Sequence, residues 1–328
     1  MRFLTALATL AFATAKPIMA NPTWTDTPSN PSTILSHKGL TVSVYHLPPH
    51  PVSYQSTTNL TFSPTAFTLI HDATSAILID SPATLAQGHE LAAWIKSTIP
   101  GKKLRGVMVT HGHGDHFFAS PQVLSEVGDG SSKIYVDGKV LEHMRQQYEP
   151  EFYGSFWGSL FPGGQIDTST NITDEVVSLL DDADPKVLLD SGTEIKVVNV
   201  GQGDTHNSTV IHVPSLDLVV GGDVVYGSCH QLLVEDATPE LRQAWRDSLE
   251  EVHKLKPTVV VPSHMLPDED YGVEHVAETR RYIDTWEKAR AKSESWEELE
   301  GGMKEAFPGR SGSFILRWSS QAPFGADF

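Results

Sequence analysis

The segment Thr110-His111-Gly112-His113-Gly114-Asp115-His116 constrains this chain more than any other stretch. It follows directly on the apolar run Leu104–Val109, which reads as a short buried strand. If the backbone stays extended past that strand, residues 111, 113 and 115 point to the same side, and two imidazoles can meet one metal ion. Gly112 and Gly114 leave space for an ion beside the backbone. His116, adjacent to Asp115, must point elsewhere, and it can serve a second ion where the chain bends. Neutral imidazole and carboxylate suit zinc, with iron or manganese as alternatives.

The surrounding sequence supplies further buried strands. Gly39–Leu47 reads as a strand. Ala66–Ile70 and Ser75–Asp80 read as a hairpin around His71-Asp72-Ala73-Thr74. Leu85–Ile99 has helical spacing and ends at Pro100-Gly101. Residues 118–127 read as helix, Lys133–Val136 as strand, and the chain then as helix to about Tyr148. Glu149 to Ile166 is an aromatic, Gly-rich loop carrying Phe152, Tyr153, Phe156, Trp157 and Phe161, either a packing flap or one wall of a substrate pocket.

Val187–Leu189, Ile195–Val200, Thr209–Val213 and Leu218–Val220 read as consecutive strands. Thr238 caps a helix with Pro239 at its first position, and Thr258–Val261 is a further strand. Residues 269–306 are largely helical and charged, and the tail from Pro308 has no clear period. Strand-rich and helical regions alternate twice. That pattern fits an α/β chain with two packed sheets and helices outside.

Three more segments follow apolar strands: Gly201-Gln202-Gly203-Asp204-Thr205-His206, Gly221-Gly222-Asp223 and Pro262-Ser263-His264. With the His111–His116 run, in this order and spacing, the chain resembles the metallo-β-lactamase fold superfamily over about residues 65–265. The resemblance implies a four-layer αββα sandwich with metals in a cleft at one edge. It implies that His111, His113 and His206 hold one ion, that Asp115, His116 and His264 hold a second, and that Asp223 bridges them. The implied cofactor is two Zn2+ per chain, with Fe or Mn as alternatives. A water shared by two such ions yields hydroxide near neutral pH, which attacks a carbonyl carbon while Asp115 orients it and relays a proton. Asp204 reads either as a plain turn residue or as one that orients a ligand imidazole.

The bridging Asp223 sets the chain apart from the zinc β-lactamases that destroy antibiotics, which generally place Cys or another residue there. It resembles instead the glyoxalase II-like and lactonase-like branches. Tyr226, three residues after Asp223, resembles a lactonase tyrosine that helps bind the carbonyl oxygen; packing at a strand end is the other reading. The expectation is a hydrolase opening a lactam or lactone, with an apolar or aromatic small molecule as substrate. A glyoxalase II-like thioesterase and a small phosphodiesterase are alternatives, and a metal-free binding protein on the same fold is the alternative from another class. His37, His46, His50, His71, His89, His143, His253 and His275 read mostly as surface or loop residues, and His212 as packed in a strand. His230 reads as either facing the pocket or not, and Cys229 as an inert buried thiol.

Arg2 and the apolar run Phe3 to Ala15 read as a secretory signal peptide over residues 1–20, with Ala13-Thr14-Ala15 and Ile18-Met19-Ala20 as candidate cleavage sites. The expected organisation is then a flexible arm over 21–38 and a hydrolase domain over 39–328 with a C-terminal helical extension. The protein is then expected to be secreted, and the resemblance implies a role in detoxification or secondary metabolism. Asn59 and Asn171 begin glycosylation sequons, and a third, Asn207, falls beside the expected site. Cys229 is the only cysteine, which excludes an internal disulfide. A net charge of −17 repels nucleic acid and anionic lipid, so neither nucleic-acid binding nor stable membrane association is expected.

Overall fold

The computed structural model describes residues 32–169, 172, 177–180 and 183–325. The expected signal peptide and the Asn171 sequon lie outside them. The strands, in chain order, are β1 (Ser32–His37), β2 (Leu40–Leu47), β3 (His50–Tyr54), β4 (Thr57–Phe62), β5 (Thr65–His71), β6 (Ser75–Ile79), β7 (Lys103–Met108), β8 (Lys133–Val136) and β9 (Val177–Leu179). They continue with β10 (Lys186–Leu188), β11 (Glu194–Gly201), β12 (Ser208–Val213), β13 (Leu218–Gly222) and β14 (Val259–Pro262). One sheet runs β1-β2-β5-β6-β7-β8-β9 and the other β10-β11-β12-β13-β14, while β3 and β4 form a separate hairpin.

Period-two alternation assembles these sheets into four layers. In β6, Ile77 and Ile79 pack between the sheets, while Ala76 and Leu78 face outward onto Leu91 and Ile95 of the helix Leu85–Thr98. In β14, Val259 and Val261 pack between the sheets. Val260 faces outward, in one cluster with Trp245 of the helix Pro239–Lys254 and Trp286 of the helix Glu274–Arg290. Each sheet thus has one face on the other sheet and one face under helices, the αββα sandwich.

Topology then gathers one set of strand ends. β6, β7 and β8 are mutually parallel. β13 pairs in parallel with β14, and β11 runs the same way as β13 because β12 is antiparallel to both. The sheets are tied at this edge by backbone bonds, Ala66 N–H to Ser263 O at 2.7 Å and Thr209 N–H to Thr110 O at 3.0 Å.

Four expectations are corrected. Within the 21–38 arm, Ser32–His37 is strand β1, antiparallel to β2. The Gly-rich loop at 149–166 contains two short helices, Pro150–Ser155 and Trp157–Leu160. The tail forms the helix Ser313–Gln321. Its period is hidden because both faces are buried: Phe314 and Ile315 enter an aromatic cluster and Leu316 the cluster under the second sheet. Finally, His46, His71, His143 and His275 are buried rather than superficial, while Cys229 is buried as expected.

Candidate metal centre

Five loops, after β6, β7, β11, β13 and β14, bring Asp80, the His111–His116 run, Asp204, Asp223 and His264 to one edge, all of them buried. The chain leaves β7 extended at His113 and then closes a single 3-10 turn, Gly114–His116. The expected bend therefore falls at Gly114. The two glycines do not make room for an ion as expected. A Cβ on Gly112 would strike the His143 ring, and one on Gly114 would strike Phe118.

Each imidazole has one nitrogen held by an acceptor outside the cluster, which aims the other into it. His111 Nδ1 donates to Thr110 Oγ1 at 3.0 Å, because that hydroxyl itself donates to Asp80 Oδ2. His116 Nδ1 donates to Asp80 Oδ2 at 3.0 Å, and His264 Nδ1 to the Pro64 carbonyl at 2.9 Å. His113 is reversed: Nε2 donates to Glu235 Oε1 at 3.1 Å, and Nδ1 lies 3.3 Å from Asp204 Oδ2.

His111 Nε2, Asp115 Oδ2, His116 Nε2, Asp204 Oδ1 and Asp223 Oδ1 are buried without a hydrogen-bond partner. Buried polar atoms ordinarily have partners. Five lone-pair donors orphaned in one place fit divalent cations. Donor atoms of His111, His113 and Asp204 lie within 4.8 Å of one another, as do those of Asp115, His116 and His264. Asp223 sits between the groups, with Oδ2 4.0 Å from His111 Nε2 and 3.1 Å from His264 Nε2, and Oδ1 3.5 Å from His116 Nε2.

Six of the seven sequence-expected ligands are thus brought together. The seventh, His206, is not. Its side chain is 46% exposed, with Nδ1 3.7 Å from Glu235 Oε2 and its ring against His143. Asp204, 1% exposed, stands in the cluster instead.

Asp80, Glu235 and His143 were not singled out from sequence. Asp80 ends an apolar strand just as Asp223 does, and that signal could have marked it. Trp157 Nε1 donates to Gln147 Oε1 at 2.9 Å, which turns the Gln147 amide nitrogen to donate to His143 Nε2 at 3.1 Å. His143 Nδ1 then donates to Thr205 Oγ1 at 3.3 Å, and that hydroxyl donates to Glu235 Oε2. This chain of bonds runs from an aromatic helix to the carboxylate that orients His113. His230 bonds Tyr282 and does not line the cavity.

Charge in the cluster is unbalanced. Burial opposes a charged His116, yet Asp115, Asp223 and Asp80 lift it to about 9. Burial raises the Asp204 carboxyl to about 7 although His113 draws it down, and Asp223 and Glu235 add to the rise. Burial, with Asp204 and Asp223, pushes the Tyr226 phenol well above its ordinary value, so it remains a donor. Its hydroxyl donates to Asp223 Oδ2 at 2.8 Å and lies 3.1 Å from Asp204 Oδ2.

A cavity opens over the cluster. His113, Asp115, Asp204, Asp223, Tyr226 and His264 line its floor, while Phe62, Phe152, Phe156, Trp157, Ile315 and Trp318 line its wall. The aromatic segment is therefore a wall of the cavity, joined by the C-terminal helix Ser313–Gln321.

The model of the metallo-beta-lactamase superfamily matches residues 60–264. Among solved structures, TMB-1 is 17% identical, with a TM-score of 0.51 over 78% of this chain and 98% of that one. A metallo-beta-lactamase from Pontibacter korlensis is 16% identical, with a TM-score of 0.52 over 78% and 99%. VMB-1 is 16% identical, with a TM-score of 0.53 over 77% and 96%. At this identity the likeness is one of fold. A search of curated proteins gives no match.

Proposed function

Because the chain belongs to the metallo-beta-lactamase superfamily, a family of metal-dependent hydrolases, we propose that it is a secreted enzyme that opens the ring of a lactam or lactone. The observation that carries this is the convergence of orphaned donor atoms with the Tyr226 hydroxyl on the floor of an apolar-walled cavity. Divalent ions, zinc or its neighbours manganese and iron, would supply a Lewis acid and an acidified water there.

The chain's own residues do the rest. Tyr226 keeps its proton and can turn its hydroxyl from Asp223 to the carbonyl oxygen of a ring, stabilising the negative charge that develops on it. The Asp115 carboxylate faces the same space, and its oxygen not given to an ion can hold the proton of the attacking water, then return it to the nitrogen or oxygen that leaves. One C–O bond forms and the ring C–N or C–O bond breaks. The wall excludes water and takes an apolar or aromatic ring substituent. The signal-like residues 1–20 support secretion.

The test is elemental analysis of the whole chain together with hydrolysis of a panel of lactones, lactams and thioesters. Two ions per chain with ring opening is the expected result. Two ions with thioester cleavage only would move the reading to the thioesterase branch. A folded, zinc-supplemented chain without metal would end it. Within the panel, Tyr226→Phe should lower kcat by about 100-fold and leave KM nearly unchanged. An unaltered kcat would remove Tyr226 from the reaction.

A further inference from the structure

We infer that Asp204, and not His206, completes the first ligand set, so that each ion takes two imidazoles and one carboxylate of its own and shares Asp223. This rests on the hydrolase reading and refines the composition of its site. The turn after β11 decides which side chain enters. Gly203 N–H bonds Thr205 O at 2.8 Å, Ser208 Oγ bonds the same carbonyl at 2.9 Å, and Asn207 takes a left-handed φ of 58°. This tight loop buries residue 204 and turns residue 206 to solvent. Asp204 presents Oδ1 without a partner, beside His111 and His113. The nearest partners of His206 are Thr205, Glu235 and the His143 ring, and its side chain is 46% exposed.

The two halves then match: His111, His113 and Asp204 against His116, His264 and Asp115. Three carboxylates face two divalent ions, where the set containing His206 would offer two. An extra hard oxygen donor in place of an imidazole favours manganese and iron relative to a three-imidazole site. Two consequences follow. The halves should release their ions together, and the site should accept manganese readily.

The experiment is equilibrium dialysis of the full chain against Zn(II) or Mn(II), with ions per chain counted along a chelator titration. The wild type should hold two ions and lose them in one phase. His206→Ala should keep both. Asp204→Ala and the nearly isosteric Asp204→Asn should keep one, and circular dichroism would check that each is folded. Asp204→His should bind Mn(II) about tenfold more weakly and split the zinc curve into two phases. Two ions in the wild type with loss of one in His206→Ala, or both retained in folded Asp204→Asn, would overturn the assignment while leaving the hydrolase reading intact. Two wild-type phases separated by more than about 100-fold would overturn the equivalence of the halves. A wild type that takes up no ion would bring down the hydrolase reading itself.

Discussion

The floor and the wall of the cavity are built by opposite means. On the floor, each of four imidazoles is aimed by a named bond: Asp80 aims His111 through Thr110 and His116 directly, Pro64 aims His264, and Glu235 aims His113. The wall is held by area. Phe156 lies 4.5 Å from Trp318 between ring centroids, Trp157 is 5.4 Å from Phe118, and Phe314 is 5.9 Å from Trp318. Directional bonds fail one at a time and completely, while a packed aromatic surface loses contact by degrees. Substitutions on the floor should therefore change chemistry and metal content steeply, and those on the wall should change recognition gradually.

The largest effect is expected at the shared carboxylate. Asp223→Ala removes the group that faces both halves of the cluster and accepts from Tyr226. It should cost one ion per chain and about 1,000-fold in kcat/KM. Two ions retained, counted by elemental analysis, would show that the floor does not depend on that residue. Glu235→Gln should act more mildly, because its contact is the bond that orients the His113 imidazole. It should weaken metal affinity by about 10- to 100-fold, read by chelator competition. An unchanged affinity would mean that the bonded chain from Trp157 to His113 has no bearing on the floor.

The same contrast explains what could be read from the sequence. Floor residues follow apolar strands at fixed spacing, so His111, His113, Asp115, His116, Asp223 and His264 stand out by residue type and place. The turn after β11 misled, because choosing between Asp204 and His206 requires the conformation of Gly203 and Asn207, and local spacing does not carry it. Asp80 and Glu235 were missed for another reason: each bonds a candidate ligand that lies far along the chain, and local spacing does not show that partner. The wall was half legible. Its aromatic residues at 152–161 are plain in the sequence, but the helix Ser313–Gln321 shows no stripe because it is buried on two sides.

Wall residues offer the third test. Trp318 is half-buried at the cavity, and Trp318→Ala should raise KM for an aromatic-substituted lactone about tenfold, as expected for losing part of one large apolar contact. The kcat should hold, and a small aliphatic ring should be nearly unaffected. A fall in kcat with unchanged KM would place Trp318 with the floor and break the division between the two.

The smallest effect concerns the support behind the wall. His230 N–H bonds Ser311 O at 2.8 Å and His230 Nδ1 meets Tyr282 Oη at 3.0 Å, so this loop ties the second sheet's helices to the C-terminal helix. Burial, aided by Arg310 and Lys304, lowers the His230 imidazole to about 3. In the unfolded chain the same ring takes up a proton near pH 6.5. Between those values the unfolded state binds the extra proton, so the stabilising contribution is full above about pH 6.5 and declines as pH falls toward 3. The slope for one proton is about 1.4 kcal/mol per pH unit. Thermal unfolding at pH 6.5, 5.5 and 4.5 should show Tm falling in the wild type. His230→Gln, which cannot titrate, should reduce that fall by about 2–4 °C per pH unit. His46, lowered by burial to about 4, contributes in the same direction and remains in the variant, so the slope should diminish without vanishing. An identical slope in both proteins would mean that His230 is charged or solvated in the native state, and that the support behind the wall is looser than its bonds to Ser311 and Tyr282 imply.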